Sequence, residues 1–361
     1  MRIRFLSLAI APSTICAYSS FTSAPTFLDS SLLCARTLFQ PLYCGRSNRD
    51  GLTTNLQLEE EHCLTAPIVR APSNTTWEVR PSIGKGLGVF ATALIKTGTR
   101  IMVEEPLFSI NPPEFVPGKG YEIQAMIDDV DVAVAGLTAE QRSDFHSCHE
   151  YRLPSEQESD EHRNMFIFRS NAYTLTDGAV AMFPQIAKIN HSCRPNAANV
   201  WSEASGLRII WAARDIQAGE EVTVTYAPLL KSHAGRQSRL SQYGFQCTCA
   251  ACVDHERTDS ERVKMGKYLS ELEDRLTRNT SEFANKKLLP KALALVEMLE
   301  LEHMMDYLPN AYHVAAEISL RLKDSLAASK WSTKALTLHG YADERSHAVL
   351  QERLFLDRIS P

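Results

Sequence analysis

Short stretches of alternating apolar and polar residues, rich in β-branched side chains, dominate two parts of this chain. Runs of this length, bounded by Gly and Pro, are typical of β-strands. They occur at residues 77–80, 88–91, 100–103 and 107–110, and again at residues 198–201, 207–213 and 222–226. Gly219 precedes the last run, at a turn where a positive φ costs glycine nothing. The pattern predicts a mainly β domain with an interruption between its two groups of strands.

The interruption, about residues 112–187, has helical character instead. Apolar residues between positions 121 and 134 follow helical spacing, and Thr138 with Gln141 has the pattern of a capping box. Acidic residues cluster here, at Asp128, Asp129, Asp131, Glu156, Glu158, Asp160 and Glu161. They either face a basic peptide or form a solvated helical surface.

Helical periodicity then runs from Glu261 to the end of the chain. The apolar stripes are Met265-Leu269-Leu272-Leu276, Leu293-Val296-Leu299, Ala315-Ile318-Leu322 and Trp331-Ala335-Leu338. Pro290 and Pro309 stand where helices would begin, and Gly340 where one would end. We therefore predict an all-α domain over residues 257–361, built either as hairpins similar to tetratricopeptide repeats or as a plain helical bundle.

Length and charge narrow the range of functions. The 361 residues are enough for two domains, and the formal net charge is −5. No basic stretch dominates any segment, so direct binding to nucleic acid is not expected. No run of eighteen apolar residues occurs, so no membrane-spanning helix is expected. A lysine-rich protein partner fits the acidic balance better.

The first 46 residues differ from the rest, with four arginines, no lysine and Asp29 as the single acidic residue. This composition suggests a targeting segment, either secretory or an organelle presequence, or else a disordered extension. Residues 47–75 have the polar character of a linker. The nine cysteines form an odd set without the spacing of a disulfide framework. We therefore expect a reducing compartment.

Three of these cysteines, Cys247, Cys249 and Cys252, stand two and three positions apart. Such spacing lets a short loop wrap a tetrahedral metal, and structural zinc takes four ligands. Cys193, the nearest cysteine upstream, would complete the set and draw Asn190 and His191 towards the segment that carries Tyr226. The alternative is a chance grouping of thiols.

These motifs, in this order, resemble the SET domain of protein lysine methyltransferases, most closely the branch with a MYND zinc finger and a helical C-terminal domain. The resemblance extends from about residue 78 to residue 252. It implies an α+β fold: a mainly β SET domain at residues 76–230 with its insert at about 112–187, a post-SET zinc loop at residues 231–256, and the helical domain. The MYND finger itself is missing, since residues 91–111 contain no cysteine.

The resemblance also implies roles for single residues. S-adenosylmethionine would contact Lys85, Gly86 and Gly88 in a first loop, Asn171 in a second, and Asn190 and His191 in a third, while Phe245 would stack on its adenine. Tyr226 matches the catalytic tyrosine, and Tyr243 would line the lysine channel. The family is expected in the nucleus or cytoplasm.

The expected reaction is methyl transfer from S-adenosylmethionine to a lysine of a protein, possible substrates including a histone tail, by a monomeric enzyme. A lysine amine has a pKa near 10.4, so it must first lose a proton, which costs about 4–5 kcal/mol at neutral pH. A narrow apolar channel eases that loss and aligns the amine. The alternatives are a non-catalytic SET-fold protein whose helical domain binds partners, and an enzyme that methylates a small molecule.

Overall fold

The computed structural model describes residues 75–113, 122–157, 160–278 and 280–359. Its strands are β1 Trp77–Ser82, β2 Gly86–Ala91, β3 Arg100–Glu104, β4 Phe108–Ile110, β5 Tyr173–Thr174, β6 Val180–Met182, β7 Asn190–His191, β8 Ala197–Ser202, β9 Leu207–Ala212 and β10 Glu221–Val224. Its helices are α1 Ile123–Ala135, α2 Ala139–His146, α3 Arg163–Asn171, α4 His233–Leu240, α5 Ala250–Val253, α6 His255–Leu276, α7 Glu282–Leu301, α8 Leu308–Arg321, α9 Ser325–Ala342 and α10 His347–Ile359.

The predicted α+β architecture, with a helical C-terminal region, is confirmed. The targeting prediction for residues 1–46 and the linker at 47–75 lie outside the described residues, apart from the end of the linker.

The sheet that positions the site has the strand order β1-β2-β10-β7. β1 and β2 form an antiparallel hairpin, and β10 pairs antiparallel with β2. β7 pairs parallel with β10, so that Thr223 stands opposite Asn190 and Val224 opposite His191. Gly219, in the turn before β10, has a φ of +83°, as its position predicts. This register brings Asn190 and His191 beside the strand that leads to Tyr226.

Two further sheets complete the β part, with the orders β3-β9-β8 and β4-β6-β5. The seven predicted strands are all present. The short strands β5, β6 and β7 were not predicted, because two or three residues are too few to show a period. β5 and β6 lie inside the interval assigned to the insert, whose helices end at Asn171.

The insert helices pack around their own apolar cluster, which includes Met126, Val130, Phe145 and Phe168. The capping box predicted at the start of α2 is present: the Thr138 hydroxyl accepts from the Gln141 amide N–H, and the Gln141 side chain accepts from the Thr138 N–H. Phe108 of β4 stacks on Phe168, with ring centroids 5.5 Å apart, and so attaches the insert to the sheet.

The C-terminal helices depart from the predicted pattern at three positions. Pro290 lies inside α7 rather than at its start, because Ser281 already caps that helix and its buried face continues through Leu288, Ala292 and Leu295. Leu293 is exposed instead of buried. α9 continues past Gly340 to Ala342. Pro309 does stand in the first turn of α8, as predicted. No helix within the described ranges is long and apolar enough to cross a membrane.

Helices α6–α10, the helical unit, contact the β-strand part of the molecule at two places. Arg262 of α6 is fully buried and donates to the carbonyl oxygens of Cys193 and Leu229 at 3.0 and 3.3 Å. At the other end, the Tyr341 ring lies so close to Gly98 that an added Cβ would approach it to 2.5 Å. The Arg100 side chain donates to the Tyr341 carbonyl. The helical unit therefore packs against both the cysteine segment and sheet β3-β9-β8.

Candidate active site and cysteine centre

The four predicted cysteines come together in space. The sulfur atoms of Cys193, Cys247, Cys249 and Cys252 all lie within 4.8 Å of one another, and those of Cys193 and Cys252 are 3.5 Å apart. In a tetrahedral zinc site with Zn–S bonds of about 2.3 Å, sulfur atoms stand about 3.8 Å apart. The donor set therefore fits zinc in both chemistry and spacing.

The local structure around Cys247, Cys249 and Cys252 directs their sulfur atoms towards a common centre. The Gln237 side chain of α4 brackets Cys247, donating to its carbonyl at 2.7 Å and accepting from its N–H at 3.0 Å. Cys249 stands at the start of α5, which places Cys252 one turn further on. Hydrogen bonds from the other three thiols hold the pKa of Cys249 well below its usual range. A thiolate is the form that binds metal.

His191 joins the cysteine cluster to Tyr226. Its Nδ1 accepts from the Tyr226 N–H at 2.9 Å, so Nε2 carries the proton and faces the Cys193 sulfur at 3.2 Å. Burial lowers the His191 pKa to about 3, which keeps the ring neutral. Both ring nitrogens are thus engaged within the protein, which leaves the His191 main chain for any contact with a cofactor.

Aromatic rings surround Tyr226. Its centroid lies 5.2 Å from that of Tyr243 and 6.4 Å from that of Phe245. Gly244, between those two residues, has a φ of +80°, and a Cβ there would approach the ring of Tyr151 to 2.3 Å. The insert thus packs directly on the loop that carries Tyr243 and Phe245, and only glycine fits at this contact.

The Tyr226 hydroxyl donates to the Ile189 carbonyl oxygen at 2.5 Å. Burial raises the pKa of this phenol well above its ordinary value, so it stays protonated. Because its single proton is committed, the hydroxyl oxygen is left as an acceptor. An amine that enters the ring-lined pocket can donate to that oxygen.

The predicted cofactor residues meet at a carboxylate that the sequence did not indicate. Glu221 accepts from the Asn190 side chain at 2.7 Å and from Lys85 Nζ at 2.9 Å. Asn190 also donates to the Leu87 carbonyl. A Cβ at Gly88 would come within 2.5 Å of the Glu221 carboxylate. We call these four residues, Lys85, Gly88, Asn190 and Glu221, the polar corner.

Gly86 and Asn171, also predicted to contact the cofactor, have surroundings that differ from those of the polar corner. Gly86 has a φ of +76°, and a Cβ there would meet no atom of the described residues within 4 Å. The Asn171 side chain is buried and donates to the carbonyls of His149 and Ile167, both at 2.7 Å. Its amide nitrogen therefore holds the end of α3, and its oxygen remains for a further contact.

Several acidic residues of the insert are paired within the protein. Arg169 donates to both carboxylate oxygens of Glu156, which is buried. Arg152 pairs with Asp160, and Asp131 accepts from the Asn164 amide. These three carboxylates serve the insert itself, which favours the interpretation of a structural and solvated surface over that of a peptide-binding one.

Comparison with known proteins identifies the family of the strand-rich part of the chain. Residues 86–227 match the model of the SET domain family. The chain is 31% identical over 198 residues to the histone-lysine N-methyltransferase set5 of Schizosaccharomyces pombe, covering 53% of this chain and 56% of that protein. It is 33% identical over 93 residues to the human histone-lysine N-methyltransferase SMYD3, covering 24% of this chain and 21% of SMYD3. It is 29% identical over 196 residues to the N-lysine methyltransferase SMYD2-B of Danio rerio, covering 50% of this chain and 44% of SMYD2-B.

Residues 86–227 of this chain are a SET domain. Its named relatives are lysine methyltransferases, among them members of the SMYD group. The chain spans about half the length of the set5 relative and smaller shares of the others. A solved structure from Plasmodium falciparum aligns at 18% identity over 42% of this chain and 94% of its own, with a TM-score of 0.25, and carries no weight here.

Proposed function

We propose that this protein transfers a methyl group from S-adenosylmethionine to the side-chain amine of a lysine in a protein substrate. The observation that carries the proposal is the position of Tyr226: its ring lies 5.2 Å from that of Tyr243 and 6.4 Å from that of Phe245, its hydroxyl donates to the Ile189 carbonyl, and its backbone adjoins the strand of Asn190. The names of the relatives support the same reaction.

The methyl donor, when bound, supplies a methyl group on a positively charged sulfur. We assign its binding to the polar corner, to Gly86 and to the Phe245 ring. Asn190 and Lys85 are held in place by Glu221 before any ligand arrives. Such preorganisation reduces the conformational cost of binding.

The incoming lysine must be neutral to attack, and deprotonation at pH 7 costs about 4–5 kcal/mol in water. The tyrosine-lined pocket disfavours the ammonium form by desolvation. The Tyr226 oxygen accepts one N–H of the amine and so directs the nitrogen lone pair towards the methyl group. Alignment of this kind contributes on the order of 7–11 kcal/mol to catalysis.

We further propose that zinc binds Cys193, Cys247, Cys249 and Cys252 and has a structural role. Four protein ligands leave no open position for substrate. The metal would hold the loop of Tyr243 and Phe245 against Tyr226, both directly and through His191.

The test is methyl transfer by the purified full chain. Labelled S-adenosylmethionine is incubated with histones and, separately, with a cell extract, and labelled lysines are located by mass spectrometry. Tyr226→Phe should lower the rate by about 100-fold, the usual cost of losing a positioned polar group. Tyr268→Phe serves as the matched control, since this ring lies on α6 beside Lys264 and Lys291.

Three outcomes would contradict the proposal. Cofactor binding without any labelled protein favours the non-catalytic interaction protein. Label in a small molecule alone favours the second alternative. Equal rates for the wild type and Tyr226→Phe would remove the role of Tyr226.

For the location, we propose a reducing compartment such as the nucleus or cytoplasm, since the cysteine cluster needs free thiols. The chain with and without residues 1–46, fused to a fluorescent protein at its C-terminus, should give the same distribution. Import into an organelle or secretion that depends on residues 1–46 would contradict this proposal.

A further inference from the structure

Arg208 of β9 is a buried cation without a carboxylate partner in the described part of the chain. The residue is 2% exposed. Its guanidinium donates to the Asn199 side-chain oxygen at 2.8 Å and to the Thr174 carbonyl at 3.3 Å, while its buried Nε has no hydrogen-bond partner. A buried charge with this environment is costly to keep for stability alone.

The nearest cross-strand carboxylate does not neutralise it. Glu104 stands opposite Arg208 in the β3–β9 register. Its two carboxylate oxygens accept instead from the N–H groups of Gln185 and Ile186, at 3.0 and 2.8 Å. Glu104 is therefore held by backbone donors and makes no ion pair with Arg208 in the described part of the chain.

The Arg208 charge lies against the ring of Tyr173. The guanidinium carbon is 4.3 Å from the centroid of the Tyr173 ring and 4.9 Å from that of Phe183. Tyr173 packs in the same apolar cluster as Tyr226 and lies close enough to raise the pKa of Tyr226 electrostatically. One aromatic ring thus separates the guanidinium from the tyrosine cluster around Tyr226. Burial lowers the Arg208 pKa to about 10, so the group stays charged at neutral pH.

We propose that Arg208 is a positioning charge that disfavours the ammonium form of the substrate lysine and so promotes the loss of its proton in the pocket. The inference rests on the proposed methyl transfer and adds a group to it. A neighbouring cation is one of the known ways of producing a neutral lysine amine at physiological pH.

The charge balance of the reaction determines the pH range in which the Arg208 charge promotes the reaction. The ammonium first releases a proton to solvent. The nitrogen lone pair then forms the N–C bond while the C–S bond breaks and leaves its electron pair on sulfur, so the positive charge moves to nitrogen. A fixed cation helps the first step and opposes the second. Its benefit is therefore confined to pH values at which the bound lysine is protonated.

Other ionisable groups near Arg208 could also change the pH dependence of the rate if they titrated in the same range. Among the described residues, those that face Arg208 or the tyrosine cluster are Tyr173, Tyr226, Tyr243, Glu104, Lys188, His191, Lys85, Glu221 and Arg239. Burial raises the pKa values of the three tyrosines, and it lowers that of His191 to about 3. None of these four groups changes its charge between pH 6.5 and 9.5.

The experiment compares pH profiles of the full-length enzyme at saturating S-adenosylmethionine. Arg208→Gln removes the charge and retains amide donors for Asn199 and Thr174, while Arg208→Lys keeps a charge at the same place. Arg358→Met is the control, since Arg358 also lies over a phenylalanine ring, Phe355, but on the outer helix α10. Circular dichroism and calorimetric titration with the cofactor verify folding and cofactor binding.

We expect Arg208→Gln to shift the apparent pKa of the rate upwards by about one unit, the order of shift caused by one nearby charge. At pH 7 this corresponds to a rate about tenfold lower, whereas the ratio of the two rates should approach one as the pH rises to 9.5, where Arg208 is still charged. Arg208→Lys should retain the wild-type midpoint. If Arg208→Gln fails to fold, Arg208→Met, which fills the same apolar space, replaces it.

Two results would overturn the inference. One is a rate that falls by the same factor at every pH, which indicates a structural role. The other is an unchanged pH midpoint in the neutral variant. An inactive wild type is a different result, because it removes the proposed methyl transfer itself.

Discussion

The two sides of the pocket are held together by different means. The polar corner is built within one sheet, where hydrogen bonds join Glu221 of β10 to Asn190 of β7 and to Lys85 of the hairpin. The opposite side, with Tyr243 and Phe245, depends on a four-thiol cluster and on helices from another part of the chain. The comparison leads us to expect that the polar corner can form without metal, whereas the position of Tyr243 and Phe245 depends on the proposed zinc and on the helical unit.

The largest effect should follow from loss of the metal. Cys249→Ser, or treatment with a strong chelator, is expected to lower the stability by several kcal/mol, since binding to a structural site contributes directly to folding. Cofactor affinity should fall with it, because Phe245 loses its position. Calorimetric melting, metal analysis and cofactor titration measure these changes.

Cys148→Ser is the matched control for this change. Cys148 is also a buried free thiol, but its sulfur contacts the carbonyls of Asp144 and Pro184 in the insert. It should leave the metal content at one ion per chain. If the chelated protein kept its melting temperature and cofactor affinity, the two sides would not differ as described.

The second effect concerns the helical unit. Arg262→Met removes the donors to Cys193 and Leu229 and one partner of Glu302. Breaking such a buried network costs about 3 kcal/mol, and the cysteine loop should become more sensitive to protease. Denaturant unfolding measures the free energy, and Arg257→Met, at an exposed ion pair on the same helix, is the control. Equal stability of the two variants would show that the docking contact contributes little.

A smaller effect is expected on the polar corner. Asn190→Ala removes two hydrogen bonds and leaves one Glu221 oxygen without that partner. We expect about 1–2 kcal/mol less stability and roughly tenfold weaker cofactor binding, with unchanged metal content. Asn164→Ala removes a comparable pair of bonds in the insert. It should affect stability alone. Loss of metal from Asn190→Ala would mean that the two sides are not independent.

The smallest effect should come from Lys85→Met. The Lys85 side chain is 43% exposed in its ion pair with Glu221, and exposed pairs contribute about 0–1 kcal/mol. Cofactor affinity should change less than about threefold, and the change should vanish at high salt. Lys96→Met, at the exposed pair with Asp215, is the reference. A tenfold loss of affinity would assign the Lys85 ammonium a direct contact with the cofactor.

The pattern-based predictions succeeded where the signal is local. Period-two runs predicted the longer strands, and the Thr138–Gln141 pattern predicted the capped start of α2. The spacing of three cysteines predicted a cluster of thiols that could hold a metal, and Cys193 was added to it across 54 residues because it is the nearest upstream thiol.

Glu220 and Glu221 show what pattern-based prediction from local sequence cannot distinguish. Glu220 and Glu221 are adjacent in sequence, yet Glu220 pairs with Arg214 while Glu221 holds Asn190 and Lys85. Successive side chains of a strand point to opposite sides. Without the pairing of β10 with β2 and β7, nothing local distinguishes the two carboxylates.

By itself, the sequence determined the longer elements, their order and the thiols that can share a metal, because these follow from the periods and side-chain chemistry of short segments. The tertiary structure alone decided that Pro290 lies inside a helix, that His191 links Tyr226 to Cys193, and that Arg208 lies against Tyr173 with no carboxylate partner among the described residues. These features depend on which distant segments pack together. Their energies come from burial and pairing across the fold, which no stretch of residues contains alone.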